Sequence, residues 1–389
     1  MPVLGCAPLK PIPVAYLALV LAFLGCFAQF HRRNTGFTTL ISFGDQFFEQ
    51  QLPAVRAVPH YTHPGAGYDG QFYAQMAVDP LLRDPNLGRA LDTPAYRARR
   101  ILFSWTAYLL GLGEPGRVLR AYGAQNLIAW VALAWLMTRW LPPDGGRHLM
   151  AWVGCLFAFG LVYSARHALL EGPSMLLLAA AIAAIERGRP LLGAAVVGVA
   201  GLGRETNILA GAAPVTRLPR SARALRSTAA VGLLVTAPFL AWSLYVRSVF
   251  PGFSYGNPGS FGWPLHAYFS EWAVALVDLR QYGWSRFAHY DLYSLVALTT
   301  QAGFLAATRE WGSPWWRMGA AYGALLVFLG APIWEGYPGA APRVLLPMTF
   351  AFNVLVVRSR WFWPLAALGN LSVLHSVEVL EVPWVSDLL

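Results

Sequence analysis

The stretch from 67 to 82, GYDGQFYAQMAVDPLL, sets Tyr68, Asp69, Gln71, Tyr73, Gln75 and Asp79 close together in a chain that is 56% hydrophobic and 12% charged. A carboxylate with hydroxyl and amide groups within a turn or two has the make-up of a general base and its positioning partners. Asp69 is the candidate base, and Tyr68, Gln71 and Tyr73 are its candidate partners. A plainer reading stands beside it. Asp is a favoured N-cap, and Asp69 precedes a short helix that runs through Gln71 to Val78 before Asp79-Pro80 ends it. The two roles are compatible if one carboxylate oxygen stays free. Gly67 and Gly70 read as tight backbone that lets a large ligand approach. Asp79 and Asp84 both precede proline and read as turn formers, and Glu49 as a solvated-face residue.

Anion chemistry needs cations, and two arginines stand where membrane segments bend or begin. Arg204 lies in Gly203-Arg204-Glu205-Thr206, and Arg343 enters an apolar run after Pro342. Either is costly unless it faces a cavity or a counter-ion, so Arg204 reads as a phosphate ligand or as a partner of Glu205 or another buried carboxylate. Arg343 reads as a phosphate ligand or as a snorkelling interfacial residue. Arg166, His167 and Glu171 form a further polar set at one bend, in which His167 alone suits a structural hydrogen bond. His60, Tyr61 and His63 lack a metal-ligand framework between their prolines. Tyr255, Trp263, His266, Trp272 and Trp284 could stack on sugar faces or mark a membrane interface.

The elements that must position these groups are membrane helices. At this length, so apolar a composition with 14% aromatic residues excludes an ordinary soluble enzyme. The net charge of +10 is spread in small basic groups between apolar runs, which is topology signal, and nucleic acid is not an expected partner. Cys6, Cys26 and Cys155 make neither a disulfide framework nor a zinc site. The run 14–30 after Lys10 reads as an uncleaved first helix, with the N-terminus cytoplasmic. Keeping basic clusters inside gives an all-α polytopic protein of about eleven transmembrane helices in one integral domain. It comprises an outer loop at 31–116, a helix bundle at 117–376 and an outer tail at 377–389. Within the loop, 37–52 reads as an interfacial amphipathic helix, and 99–113 is ambiguous between crossing and lying at the outer interface. The pieces on either side of Arg204 are half-length, of the kind tolerated where they line an aqueous cavity. Residues 251–290 read as an outer loop of polar and aromatic character.

GYDGQFY, LGRETNIL at 202–209 and PRVLLP at 342–347, in this order and on one side, resemble the C-type membrane glycosyltransferases that use polyprenyl-phosphate-linked sugars. The resemblance implies a lipid-phosphate sugar donor bound from the outer leaflet and a glycan, lipid or protein acceptor. It also implies Asp69 as the base that deprotonates the acceptor hydroxyl, with Tyr68, Gln71, Tyr73, Arg166, His167, Glu171, Arg204, Glu205 and Arg343 as candidate substrate-binding residues. Single displacement of this kind inverts the anomeric centre. The chain has no carboxylate adjacent to Asp69, so no metal or other cofactor is expected. The expected location is a bacterial inner membrane with the site facing outward.

A transporter or flippase of lipid-linked glycans is the alternative. Such a protein places its substrate groups near mid-bilayer between repeated halves. Here the candidate groups map to one face, and no repeated halves are visible.

Overall fold

The computed structural model describes residues 11–215, 221–254, 256, 258–336 and 338–381; Lys10, Arg217, Tyr255 and the end of the tail lie outside them. The described chain is mostly helical. Its one sheet is a parallel pair in which Phe43 lies beside Thr62 and Gly44 beside His63.

Helix Pro11–Ala28 divides its side chains by kind. Leu17, Leu21 and Leu24 are exposed, while Tyr16, Phe23 and Phe27 are buried. Phe23 stacks on Trp130 at 3.7 Å between ring centroids, and the Tyr16 hydroxyl donates to the Leu141 carbonyl at 3.1 Å. Leu225–Val249 likewise exposes Leu233, Leu240 and Leu244. Hydrocarbon turned outward suits lipid, not water. Among the described residues these two helices are long and apolar enough to cross a membrane. Gly146–Leu156 and Phe159–Arg166, bent by 45°, add a third if they count as one span. Pro115–Met137 and Arg286–Thr308 have the length, at 23 residues each, but carry several polar side chains. Pro190–Gly201 has 12 residues and so reaches about 18 Å, well short of the roughly 30 Å hydrocarbon layer.

Three local readings change. First, 37–52 is not one amphipathic helix: it breaks into the 3-10 turns Thr38–Ile41 and Asp45–Gln50 around Ser42, whose φ is 59°. Residues 38–44 are all buried, so the apolar spacing that suggested a surface helix belongs to core contacts on every side. Second, 251–290 is not all loop, because His266–Tyr282 is a helix of 17 residues. It packs against Arg286–Thr308, with Glu271 and Asp278 on the same helical face as the buried Tyr268 and Ala275. Phe269, Val274, Leu276 and Val277 are exposed. Third, the ambiguous 99–113 contains helix Leu102–Leu110, whose nine residues reach only about 13 Å. It lies against Gly70–Val78 and Pro115–Met137.

Candidate active site

Asp69 occupies the N-cap position of Gly70–Val78, yet its side chain makes no capping bond. Its Oδ1 instead accepts from Arg97 Nη2 at 2.8 Å. Arg97 follows the Pro-initiated first turn of Pro94–Ala98 and also donates to both oxygens of Asp92, at 2.9 and 2.7 Å. The Arg97 side chain is 7% exposed and that of Asp69 34%, so the carboxylate looks out while its counter-ion is enclosed. Burial pushes the Asp69 pKa up, but Arg97, with Arg343 and Arg100 behind it, outweighs burial and holds the carboxyl below its usual range. Asp69 is therefore ionised at neutral pH. Its second oxygen makes no hydrogen bond among the described residues.

The glycines around Asp69 serve the chain's own backbone. Gly67 has φ 71°, and a Cβ there would lie 2.4 Å from the Ser42 carbonyl oxygen. A Cβ on Gly70 would lie 2.4 Å from the His167 carbonyl oxygen and 2.8 Å from that of Ile41. The close approach read as room for a ligand is room for these two segments. Gln71 completes the brace: its Oε1 accepts from Gly44 N at 3.1 Å and its Nε2 donates to the Ala66 carbonyl at 2.8 Å. Its amide is occupied within the loop.

Opposite Asp69, Glu171 begins helix Glu171–Glu186 with 6% of its side chain exposed. Its Oε1 accepts from Arg204 Nη1 and lies 3.6 Å from Arg343 Nη1. Arg204 thus pairs with Glu171 and not with its neighbour Glu205, which takes Arg100 through two bonds of 2.8 and 2.6 Å. The Tyr73 hydroxyl accepts from Arg97 Nη1 at 3.3 Å and Arg100 Nη1 at 3.1 Å, joining the two arginines. Arg343 Nη2 reaches the Tyr68 hydroxyl at 3.5 Å. Asp69, Glu171, Arg97, Arg100, Arg204 and Arg343 all line one cavity of about 360 Å³. Four guanidiniums and two carboxylates line it, and Asp92 and Glu205, bonded to Arg97 and Arg100, bring the cluster to charge balance, so what the lining offers an anionic ligand is guanidinium N–H donors and not net charge.

Other predicted residues lie elsewhere. Arg166 bonds Glu381 at 2.8 Å, stacks 4.1 Å over Phe30 and does not line the cavity. His167 sits 3.2 Å from Ser42 Oγ and beside the rings of Tyr68 and Tyr163. Burial, then Arg166 and Arg343, push its imidazole down to about 3, so it is neutral and acts as a brace for Tyr68. Asp79 accepts from the backbone N–H of Arg83 and Asp84, and Asp84 from that of Asn86, as turn formers do. Glu49 is 85% exposed and pairs with Arg56. The rings of His60 and His63 hydrogen-bond the carbonyls of Val58 and Thr39.

Arg97, Arg100 and Tyr96 escaped the sequence reading. Their signal was present in Tyr96-Arg-Ala-Arg-Arg100, three arginines in five residues at the edge of a segment that the charge rule assigns outside. Basic residues on the wrong side point to a local counter-charge or an anion. Comparison with known proteins returns no matching family model, no matching curated protein and no matching solved structure.

Proposed function

We propose that this chain is a polytopic membrane glycosyltransferase that moves a sugar from a polyprenyl-phosphate donor to an acceptor hydroxyl at the outer face. One observation carries the reading: an ionised carboxylate with an unbonded oxygen lines a cavity whose other charges are mainly arginine. Asp69 takes the acceptor O–H proton as that oxygen bonds to the anomeric carbon. The bond from that carbon to the phosphate oxygen breaks, and polyprenyl phosphate leaves with the electron pair, its charge met by guanidinium groups. Displacement from one face inverts the anomeric centre. The protonated Asp69 then returns its proton to water.

The finer topology belongs to the same proposal: about eleven crossings, a cytoplasmic N-terminus, and a bacterial inner membrane with the site outward. The outward-facing leucines of Pro11–Ala28 and Leu225–Val249 support membrane residence. The test is sugar transfer from polyprenyl-phosphate donors by reconstituted wild type and Asp69→Asn. Loss of a general base lowers the rate by roughly 10² to 10⁴. Full activity in the Asn variant removes Asp69 from the mechanism.

A further inference from the structure

A second cavity, of about 500 Å³, adjoins the first and shares with it Tyr96, Arg100, Arg204, Ile333 and Val344 together with Gly256 and Ser260. Its lining combines two chemistries. Arg99 adds a cation, while Phe261, Leu325, Leu329 and the shared Ile333 supply hydrocarbon. Phe261 is 64% exposed and its near neighbour Trp263 84%, the placement of aromatic side chains at a membrane–water boundary. A cation, an aliphatic wall and an aromatic rim together match an amphiphile with an anionic head.

Arg99 differs from the arginines around it. Arg97 is held by Asp69 and Asp92, Arg100 by Glu205, and Arg204 by Glu171, with Arg343 close to that same carboxylate. Arg99 has no such bond among the described residues, and its Nε is buried without a hydrogen-bond partner. Its guanidinium lies 5.4 Å over the Tyr96 ring, which attracts a cation without neutralising it. The carboxylate that acts on it, Glu205, already has both oxygens bonded to Arg100. An anion reaching Arg204 or Arg343 competes with Glu171; one reaching Arg99 breaks no existing pair.

We infer that the second cavity holds the phosphate of a polyprenyl phosphate, with the phosphate on Arg99 and the first isoprenoid carbons against Leu325, Leu329 and Ile333. The inference rests on the proposed transferase reading and adds the donor's direction of entry. A sugar carried on that phosphate extends past Tyr96 and Arg100 toward Asp69. Phosphate and base then lie on opposite sides of the anomeric carbon, as single displacement requires.

The experiment measures binding of radiolabelled polyprenyl monophosphate, without sugar, to the full chain in lipid nanodiscs. Arg99→Ala is expected to weaken binding roughly tenfold or more, and Arg99→Lys to recover most of it. Leu325→Trp, which adds bulk to the apolar lining and leaves every arginine in place, is expected to weaken binding as well. Wild-type affinity in both Arg99→Ala and Leu325→Trp overturns the assignment. Displacement by inorganic phosphate at equal concentration overturns it by showing that the tail is not read. Equal displacement by phosphatidylglycerol overturns it in favour of a two-chain phospholipid site. Arg99-dependent binding in a wild-type protein that transfers no sugar from any polyprenyl-phosphate donor leaves this site standing and removes the transferase reading.

Discussion

Asp69 and Arg97 are joined through one carboxylate oxygen, Oδ1, at 2.8 Å, while Arg97 spends its other bonds on Asp92 and Tyr73. The geometry separates two demands on one side chain, because one oxygen fixes the charge and the other remains for a proton.

The pH dependence follows from that pairing. Asp69 has a folded pKa below its unfolded value of about 3.9, so its stabilising contribution is present above that value and is lost as pH falls through the folded one. The transfer rate should therefore show no carboxylate limb between about pH 5 and 8. Arg97→Gln removes the main stabiliser of the ionised form and should move the acid limb up. A pH–rate profile unchanged between wild type and Arg97→Gln would falsify the pairing as the source of the shift.

Glu171 balances two arginines inside the protein, and removing its charge leaves both without their carboxylate. Breaking a buried pair from one side costs about 3–5 kcal/mol, so Glu171→Gln should lower the denaturation midpoint markedly. Adding Arg204→Met should recover a large part of the loss, because the uncompensated guanidinium goes with it. Strict additivity of the two changes in thermal melts would show that the pair carries no coupling.

Gly70→Ala drives a methyl group into two backbone carbonyls, those of His167 and Ile41, neither of which can turn aside as a side chain can. Overpacking of this kind costs about 1–3 kcal/mol or more. Gly232→Ala meets nothing within 4 Å in an exposed stretch of helix and should be neutral or gain about 0.5–1 kcal/mol. Chemical denaturation of the two variants in parallel checks the contrast, and equal stabilities would contradict it.

Sidedness is open to labelling. In a background with Cys6, Cys26 and Cys155 replaced, single cysteines at Ala66 and Ser221, both exposed, should react with an impermeant maleimide from opposite faces of sealed vesicles. Reaction of both from the same face rejects the proposed crossing pattern.

The sequence made the helical class and the special character of the 67–82 segment readable, because both depend on composition and local spacing. It placed Glu171, Arg204 and Arg343 on one face, and the structure brings those three together with Asp69. Their pairing was not readable. The sequence left Arg204 either Glu205 or another buried carboxylate, and the folded chain supplies the second, Glu171, while Glu205 goes to Arg100. Helix His266–Tyr282 was missed for a related reason. Its carboxylates share the face that packs on a neighbour and its hydrocarbon faces outward, so average polarity resembles that of a loop. Gln71 looked like a substrate ligand because an amide beside a carboxylate has that chemistry, and only the fold reveals that its amide holds Gly44 and Ala66.

The seam at Gly70 presses the backbone beside the base against two segments remote in sequence, at Ile41 and at His167. Moving Asp69 toward a ligand would require both segments to move with it, and Arg343 across the cavity is pinned likewise, since a Cβ on Gly160 would lie 2.6 Å from the Pro342 carbonyl oxygen. Asp69 is thus the anvil of this cavity. The reach of the base is set by where the acceptor is brought to it.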